Sequence, residues 1–343
     1  MTDNSIEHVQ AEKLLADALP EGIALLDENN CLLWWNEVAQ ELLGLNETHC
    51  RQSIHDIIPK NKFRNLLMGD LLELPAPNNS SVRLAIHVRN YFDQRRILIV
   101  NDVTHTYRVE KMRQDFIANV SHELRTPLTV FHGYLELLLE RPDIDQTRMQ
   151  RILQQMSEQH ARMQTLVSDL LLLSRLESAE PDMKKHQPVM VAQMIRAICE
   201  DAKTLSGDDN HFFEIDVDEN LHIEGEQDEL RSAFSNIVVN AVRYTPANGK
   251  ITVRWYANAA GRHFEVTDTG IGIEDKHINR ITQRFYRVDK ARSREQGGTG
   301  LGLAIVKHVL LRHNGELSIE SKINKGSTFR CSFSQGDETN PLI

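Results

Sequence analysis

The stretch NIVVNAVRYTP, Asn236–Pro246, sets two asparagines four residues apart, with an arginine and a tyrosine one turn further on. At helical spacing, Asn236 and Asn240 share a face. A carboxamide oxygen is a hard ligand that suits Mg²⁺, an ion that prefers oxygen and keeps several waters while bridging phosphates. The guanidinium of Arg243 adds a fixed cation for phosphate oxygens. The plain alternative is two asparagines on the polar face of a surface helix, and for one asparagine alone that alternative would stand.

Two glycine clusters lie downstream. DTGIG, Asp268–Gly272, ends a predicted strand, and GGTGLGLAIVK, Gly297–Lys307, opens a predicted helix. Glycine lets a backbone approach a ligand closely, and a helix N-terminus presents free N–H groups to phosphate. Either cluster alone serves equally well as a turn and a cap. A dinucleotide fold fits badly, because its glycine fingerprint should follow the first strand of a parallel βαβ unit. Here the cluster comes late, after two strands that read as a hairpin.

The chain has 343 residues, enough for two or three domains. It is 41% hydrophobic and 26% charged, an ordinary globular composition, with a net charge of −10. An acidic balance argues against direct nucleic-acid binding, which needs a basic stripe. The cysteines, Cys31, Cys50, Cys199 and Cys331, are scattered and form no C-x-x-C pair. That pattern fits neither a zinc site nor a disulfide framework and suggests a reducing compartment. No run reaches the ~18 apolar residues of a membrane span, and no signal peptide is evident. The chain reads as cytosolic, or as the cytosolic part of an anchored protein.

Three regions differ in pattern. In residues 10–105, GIALLDENNCLLWWN reads as a hairpin, NEVAQELLGL as a helix and LPAPNNS as a loop. SVRLAIHVRNYFDQRRILIVNDVT then reads as two strands around an Asp-Gln turn, giving an α+β domain. In residues 106–180, apolar residues recur at three- and four-residue steps from Met112 to Leu138 and again from Ile152 to Leu173, with ERPDID between. This predicts an antiparallel helical hairpin, whose apolar stripe a second copy would cover as a four-helix bundle. Residues 181–335 alternate helices and strands as an α/β domain.

The hairpin carries FIANVSHELRTPL, Phe116–Leu128, where a histidine and a proline interrupt a helical pattern. A neutral imidazole is a competent nucleophile toward a phosphoryl group, and Glu123 can accept from its other nitrogen. Successive helical residues point about 100° apart, so Glu123 must reach sideways. Thr126 lies on the face of His122, where its plain reading is a bond to the carbonyl four residues back. Pro127 removes a helical hydrogen bond and predicts a bend at this turn.

Taken in order, NIVVNAVRYT, DTGIG, RFYRVDKARS and GGTGLGLAIVK resemble the ATP-binding domain of the sensor histidine kinases, a branch of the GHKL ATPases. SHELRTPL resembles the phospho-acceptor box of the same family, and LPEGIALLDENNCLLWWNEVAQELLGL and NDVT resemble a PAS module and its exit signal. The resemblance covers roughly residues 14–333. It implies a multidomain α+β protein: a PAS-like domain over 10–105, a dimeric phosphotransfer hairpin over 106–180 and a GHKL-type α/β sandwich over 181–335. It implies ATP and Mg²⁺ as cofactors, with a homodimer and a response regulator as partners.

By the same resemblance, His122 accepts the phosphoryl group, Glu123 handles its proton and Thr126 orients a water for regulator dephosphorylation. Asn240 holds Mg²⁺ with Asn236 nearby. Arg243 and Tyr244 line the phosphate and base side, and Asp268 accepts from the adenine amino group. Gly270 and Gly272 allow close approach, Arg287 reaches toward the phosphates, and Gly298, Gly300, Leu301 and Gly302 form the lid hinge and phosphate-facing turn. Many family members have lysine where this chain has Arg243. A conformational ATPase without phosphotransfer would lack the acceptor box, and a degenerate scaffold would not keep Asn240, Asp268 and the glycines together.

Overall fold

The computed structural model describes residues 15–92, 94–140, 144–178, 187–288 and 298–334. The chain divides into two compact units, Met1–Ile117 and Ala118–Ile343.

The first unit is an antiparallel sheet in the order β2-β1-β5-β4-β3, flanked by the helices α1 (Glu37–Leu43) and α2 (Lys60–Leu67). The predicted hairpin is β1 (Gly22–Leu26) and β2 (Leu32–Trp35), closed by the Asp27–Asn30 turn. Asn36 starts α1 and is fully buried. Its oxygen accepts from the backbone of Ala39 (2.9 Å) and Ile23 (2.8 Å), while its nitrogen donates to the carbonyls of Ala16 and Glu21. One carboxamide thus caps the helix and pins it to the sheet. Leu26, Leu32, Ile54, Phe63, Leu84, Ile86 and Leu98 fill the space beneath.

The LPAPNNS stretch is not a loop. Leu74–Ala76 finish β3 (Leu72–Ala76), and Asn79 opens β4 (Asn79–Asn90) after a two-residue turn. Pro75 misled the sequence reading because proline removes a ladder donor. Since β3 is the edge of its sheet, that loss is tolerated there. The Asp-Gln turn joins β4 to β5 (Arg96–Asp102) with Gln94 at φ +58°; Asp93 lies outside the described residues. The NDVT stretch anchors the exit. Asp102 accepts from the Thr104 N–H, the Thr104 hydroxyl accepts from the Arg83 N–H, and the Arg83 guanidinium lies 4.2 Å over the Tyr107 ring.

From there α3 (Thr104–Glu140) runs 37 residues, about 55 Å at 1.5 Å per residue. Pro127 sits inside it, and the helix continues on both sides of the proline. It is followed by α4 (Gln146–Ser178); residues 141–143 of the predicted turn lie outside the described residues. Ile117, Leu128, Leu135, Leu139, Val167 and Leu171 are exposed along the pair, Leu128 by 54% and Leu171 by 57%. Two helices cannot bury such a stripe between themselves.

Beyond the hairpin, a mixed sheet runs β11-β12-β10-β9-β7. Its members are β7 (Phe212–Val217), β9 (Lys250–Asn258), β10 (Gly261–Asp268), β11 (Gly315–Lys322) and β12 (Gly326–Phe333). Among the described strands of this sheet, only the β7–β9 pair is parallel. A separate pair, β6 (Gln187–Met190) and β8 (His222–Gly225), stands beside it. β6 escapes the sequence reading because it is four residues long and contains Pro188. Three helices pack in a layer with this sheet: α5 (Val191–Ser206), α6 (Gln227–Tyr244) and α7 (Gly302–Arg312). Phe234 of α6 stacks on Phe264 of β10 with ring centroids 4.1 Å apart. The start of α6 is tied down by His313, whose Nε2 accepts from the Glu226 N–H and whose Nδ1 donates to the Val309 carbonyl.

Candidate functional site

α6 has two faces. Ala233, Phe234, Ile237, Val238, Ala241 and Val242 are buried against the sheet and its neighbouring helices. Asn236, Asn240, Arg243 and Tyr244 line a cleft on the other side. Asp268, Gly272, Arg287, Gly298, Gly300 and Gly302 line the same cleft, so motifs separated by up to 66 residues converge there. Gly270 and Leu301 stand just behind the wall. The Gly270 N–H donates to Asp268, and the fully buried Leu301 precedes α7.

Asp268 ends β10 and is 5% exposed. Its Oδ1 accepts from the Gly270 N–H at 2.7 Å and the Ser327 N–H at 3.3 Å. Burial pushes its carboxyl above the usual range, and these two bonds pull it back. Both donors reach one oxygen, which leaves the other to meet a ligand N–H.

Glycine is sterically required at positions 272 and 302. Gly272 adopts φ +68°, and a Cβ there would lie 2.1 Å from the Lys322 carbonyl oxygen. The DTGIG turn is held against the β11–β12 hairpin by the Ile271 carbonyl, which accepts from Asn324, and by the Ile273 N–H, which donates to Ser321. At Gly302 a Cβ would meet Asn236 Oδ1 at 2.3 Å. Asn236 is fixed by its Nδ2 bond to the Ser232 carbonyl (2.9 Å), so only glycine brings the N-terminus of α7 this close to α6. Gly302 and Leu303 of that N-terminus line the cleft, and the first N–H groups of a helix, which have no intrahelical partner, suit phosphate.

The cations are held firmly. Desolvation pulls the Arg243 guanidinium below its usual range, opposed by Tyr244 and Asp169. Arg287 is only 7% exposed; it donates to the Gly298 carbonyl and pairs with Glu123 at 3.2 Å. Sequence reasoning missed the apolar wall, Ile271, Ile273, Ile281, Val288, Leu303 and Phe329, and also Thr299, Tyr286 and Ser327. Each of the apolar residues reads as ordinary core until the cleft is seen. Residues 289–297, which include the end of RFYRVDKARS and Gly297, lie outside the described residues.

His122 is exposed on α3. Glu123 does not turn to it. Its carboxylate, 20% exposed, lies between Arg287 (3.2 Å) and Arg162 of α4 (3.5 Å). The Thr126 hydroxyl donates to the His122 carbonyl at 3.2 Å, the plain helical arrangement. The acceptor turn is therefore joined to the cleft by the Glu123–Arg287 ion pair. Elsewhere the hairpin meets the cleft domain through Glu177, which pairs with Arg284 and with His308 (3.3 Å), and through Asp169, which accepts from Thr299.

Three family models match the chain. The PAS fold matches residues 13–118, the His Kinase A (phospho-acceptor) domain residues 112–179, and the histidine kinase-, DNA gyrase B- and HSP90-like ATPase residues 225–337. The phosphate regulon sensor protein PhoR of Pseudomonas aeruginosa is 46% identical over 321 residues, which cover 92% of this chain and 72% of that protein. PhoR of Haemophilus influenzae is 34% identical, covering 91% and 73%. Histidine kinase ThkA, solved in complex with response regulator protein TrrA, has the same fold: 20% identity, TM-score 0.52, 96% of this chain and 99% of that one. Among the described residues, no helix is long and apolar enough to cross a membrane.

Proposed function

The chain belongs to the PhoR-like sensor histidine kinases of two-component signalling, and we propose that it moves the γ-phosphoryl group of Mg·ATP to His122 and on to an aspartate of a response regulator. The observation that supports this best is the Arg287–Glu123 ion pair, which ties the cleft to the turn bearing the acceptor. The cleft residues fit the nucleotide. Asp268 offers a buried carboxylate oxygen to the adenine amino group, with Tyr244 on the base side and Ile271, Ile281 and Phe329 as apolar wall. Arg243, Arg287 and the N-terminus of α7 suit phosphate. Asn240, with Asn236 beside it, supplies the kind of neutral oxygen Mg²⁺ takes up alongside phosphates and water; the ion's part is to neutralise charge on the transferring group.

In the transfer, a ring nitrogen of His122 forms a bond to the γ-phosphorus. The bond from that phosphorus to the β–γ bridging oxygen breaks, and ADP leaves with its electron pair. In-line positioning and charge neutralisation supply most of the acceleration. Glu123, paired with Arg287 and Arg162 in this structure, swings back on their release to take the hydrogen bond of the other ring nitrogen as positive charge builds there. The acceptor for the second transfer is a PhoB-like receiver domain, in keeping with phosphate-regulon signalling and with an acidic chain that leaves DNA to its regulator. The exposed stripe on α3 and α4 is covered by a second copy in a homodimeric four-helix bundle. This portion works in the cytoplasm, where ATP and the regulator are.

Purified chain given γ-labelled Mg·ATP is expected to gain acid-labile, alkali-stable label and pass it to the receiver domain. No label, or acid-stable label, overturns the reading. The same site runs the opposing reaction, with Thr126 orienting the water that attacks the regulator's aspartyl-phosphate and releases inorganic phosphate and the free aspartate. In Thr126→Ala, labelling is expected to stay within about twofold while regulator dephosphorylation slows on the order of 10²-fold. Loss of both activities together would make Thr126 a helix-stabilising residue and nothing more.

A further inference from the structure

Asp169 belongs to the hairpin helix α4, yet its carboxylate is directed at the cleft. Its Oδ2 accepts from the Thr299 hydroxyl at 2.9 Å, across 130 residues of sequence. The same hydroxyl accepts from the Leu301 N–H (3.3 Å) at the start of α7. Burial pushes the Asp169 carboxyl above its usual range and the Arg243 guanidinium below its own, and the attraction between the two opposes both shifts by favouring each group's charged form. One carboxylate thus bonds a hydroxyl of the cleft wall, reaches the start of α7 through that hydroxyl, and feels the charge of a guanidinium, all features suited to phosphate. Resting a negative charge there makes poor sense as simple packing, because any triphosphate entering the cleft is repelled by it and competes for the same partners.

We propose that Asp169 is a nucleotide-gated latch. It holds the ATP-binding domain on the hairpin through the phosphate end of the cleft, so that this docking and a phosphate-bearing nucleotide oppose each other. Coupling of this kind is reciprocal: docking weakens nucleotide binding by the factor by which the nucleotide loosens docking. Glu123 also meets the cleft, through Arg287, but its place beside His122 would confound a test, whereas Asp169 stands apart from the acceptor turn.

The latch rests on the ATP reading of the cleft, and calorimetric titration of the full chain separates the two. With Mg·ADP as probe, Asp169→Ala is expected to bind about fivefold tighter than the wild-type chain or better. With adenosine, which carries no phosphate, the two chains should match. Asp169→Asn keeps an acceptor for Thr299 but drops the charge, and should fall between them for Mg·ADP; it also serves if the alanine variant folds poorly. Equal Mg·ADP affinity in all three chains overturns the latch and leaves the ATP reading standing. Weaker binding in Asp169→Ala overturns it too, by making Asp169 a support of the cleft. A matching change in adenosine affinity would reduce Asp169 to a general structural role. If no chain binds Mg·ADP, the ATP reading itself fails.

Discussion

Asp268→Asn is expected to weaken ATP binding about 100-fold, roughly 2.7 kcal/mol, while the protein stays folded. Both backbone donors, Gly270 and Ser327, reach the same carboxylate oxygen. An asparagine that keeps those bonds must give them its carbonyl oxygen and turn its NH₂ toward the ligand. The adenine amino group is itself a donor, so donor faces donor. Flipping the amide only moves the conflict, setting NH₂ against two backbone N–H groups in a site that is 5% exposed. An unmet donor in such a place costs about 1–3 kcal/mol, and the lost charge-assisted bond adds to it. Calorimetric titration with ATP reads the loss, and thermal unfolding checks the fold. Binding within threefold of the wild-type chain would remove Asp268 from the adenine contact. A collapsed melting temperature would make it a scaffold residue of the Gly270–Ser327 turn instead.

Local pattern made much of this molecule legible. Alternation and turn residues place the β1–β2 and β4–β5 hairpins, and the three- and four-residue steps place α3 and α4. Such signals depend on neighbours a few residues away. Where an outcome depends on a distant partner, the sequence is mute. Pro75 reads as a loop residue because nothing nearby says that its strand is an edge. Leu303 and Phe329 read as core because a wall facing a cleft and a wall facing a neighbour have the same composition. The glycines are legible as a motif, but the reason for Gly302 is the carboxamide of Asn236, 66 residues earlier. Glu123 illustrates the limit best. Adjacency in sequence suggested a partnership with His122, whereas helical geometry swings the carboxylate aside to Arg162 and, 164 residues away, Arg287. Asp169 carries no motif signal at all, and its contact exists only because α4 packs against the start of α7.

His122→Gln is expected to abolish labelling by Mg·ATP while leaving ATP affinity within about twofold of the wild-type chain. The two halves of that result rest on different facts. Glutamine has nearly the reach of histidine, but its amide nitrogen has no available lone pair, so no stable phosphoramidate forms. Position 122 is exposed, and substitutions at such positions usually change stability by no more than about 0.5 kcal/mol. The cleft, whose walls are α6, the DTGIG turn and the start of α7, should not register the change. Residual acid-labile label would move the acceptor elsewhere, and lost ATP binding would mean that the turn supports the cleft. Combined with Asp268→Asn, the variant also reads the direction of transfer. One chain keeps a working cleft and no acceptor, the other an acceptor and a weakened cleft. In a mixed dimer, label on the Asp268→Asn chain requires the cleft of one subunit to serve the histidine of the other, because its own cleft cannot hold ATP at low concentration. If each cleft serves only its own hairpin, the mixture stays as dark as either variant alone.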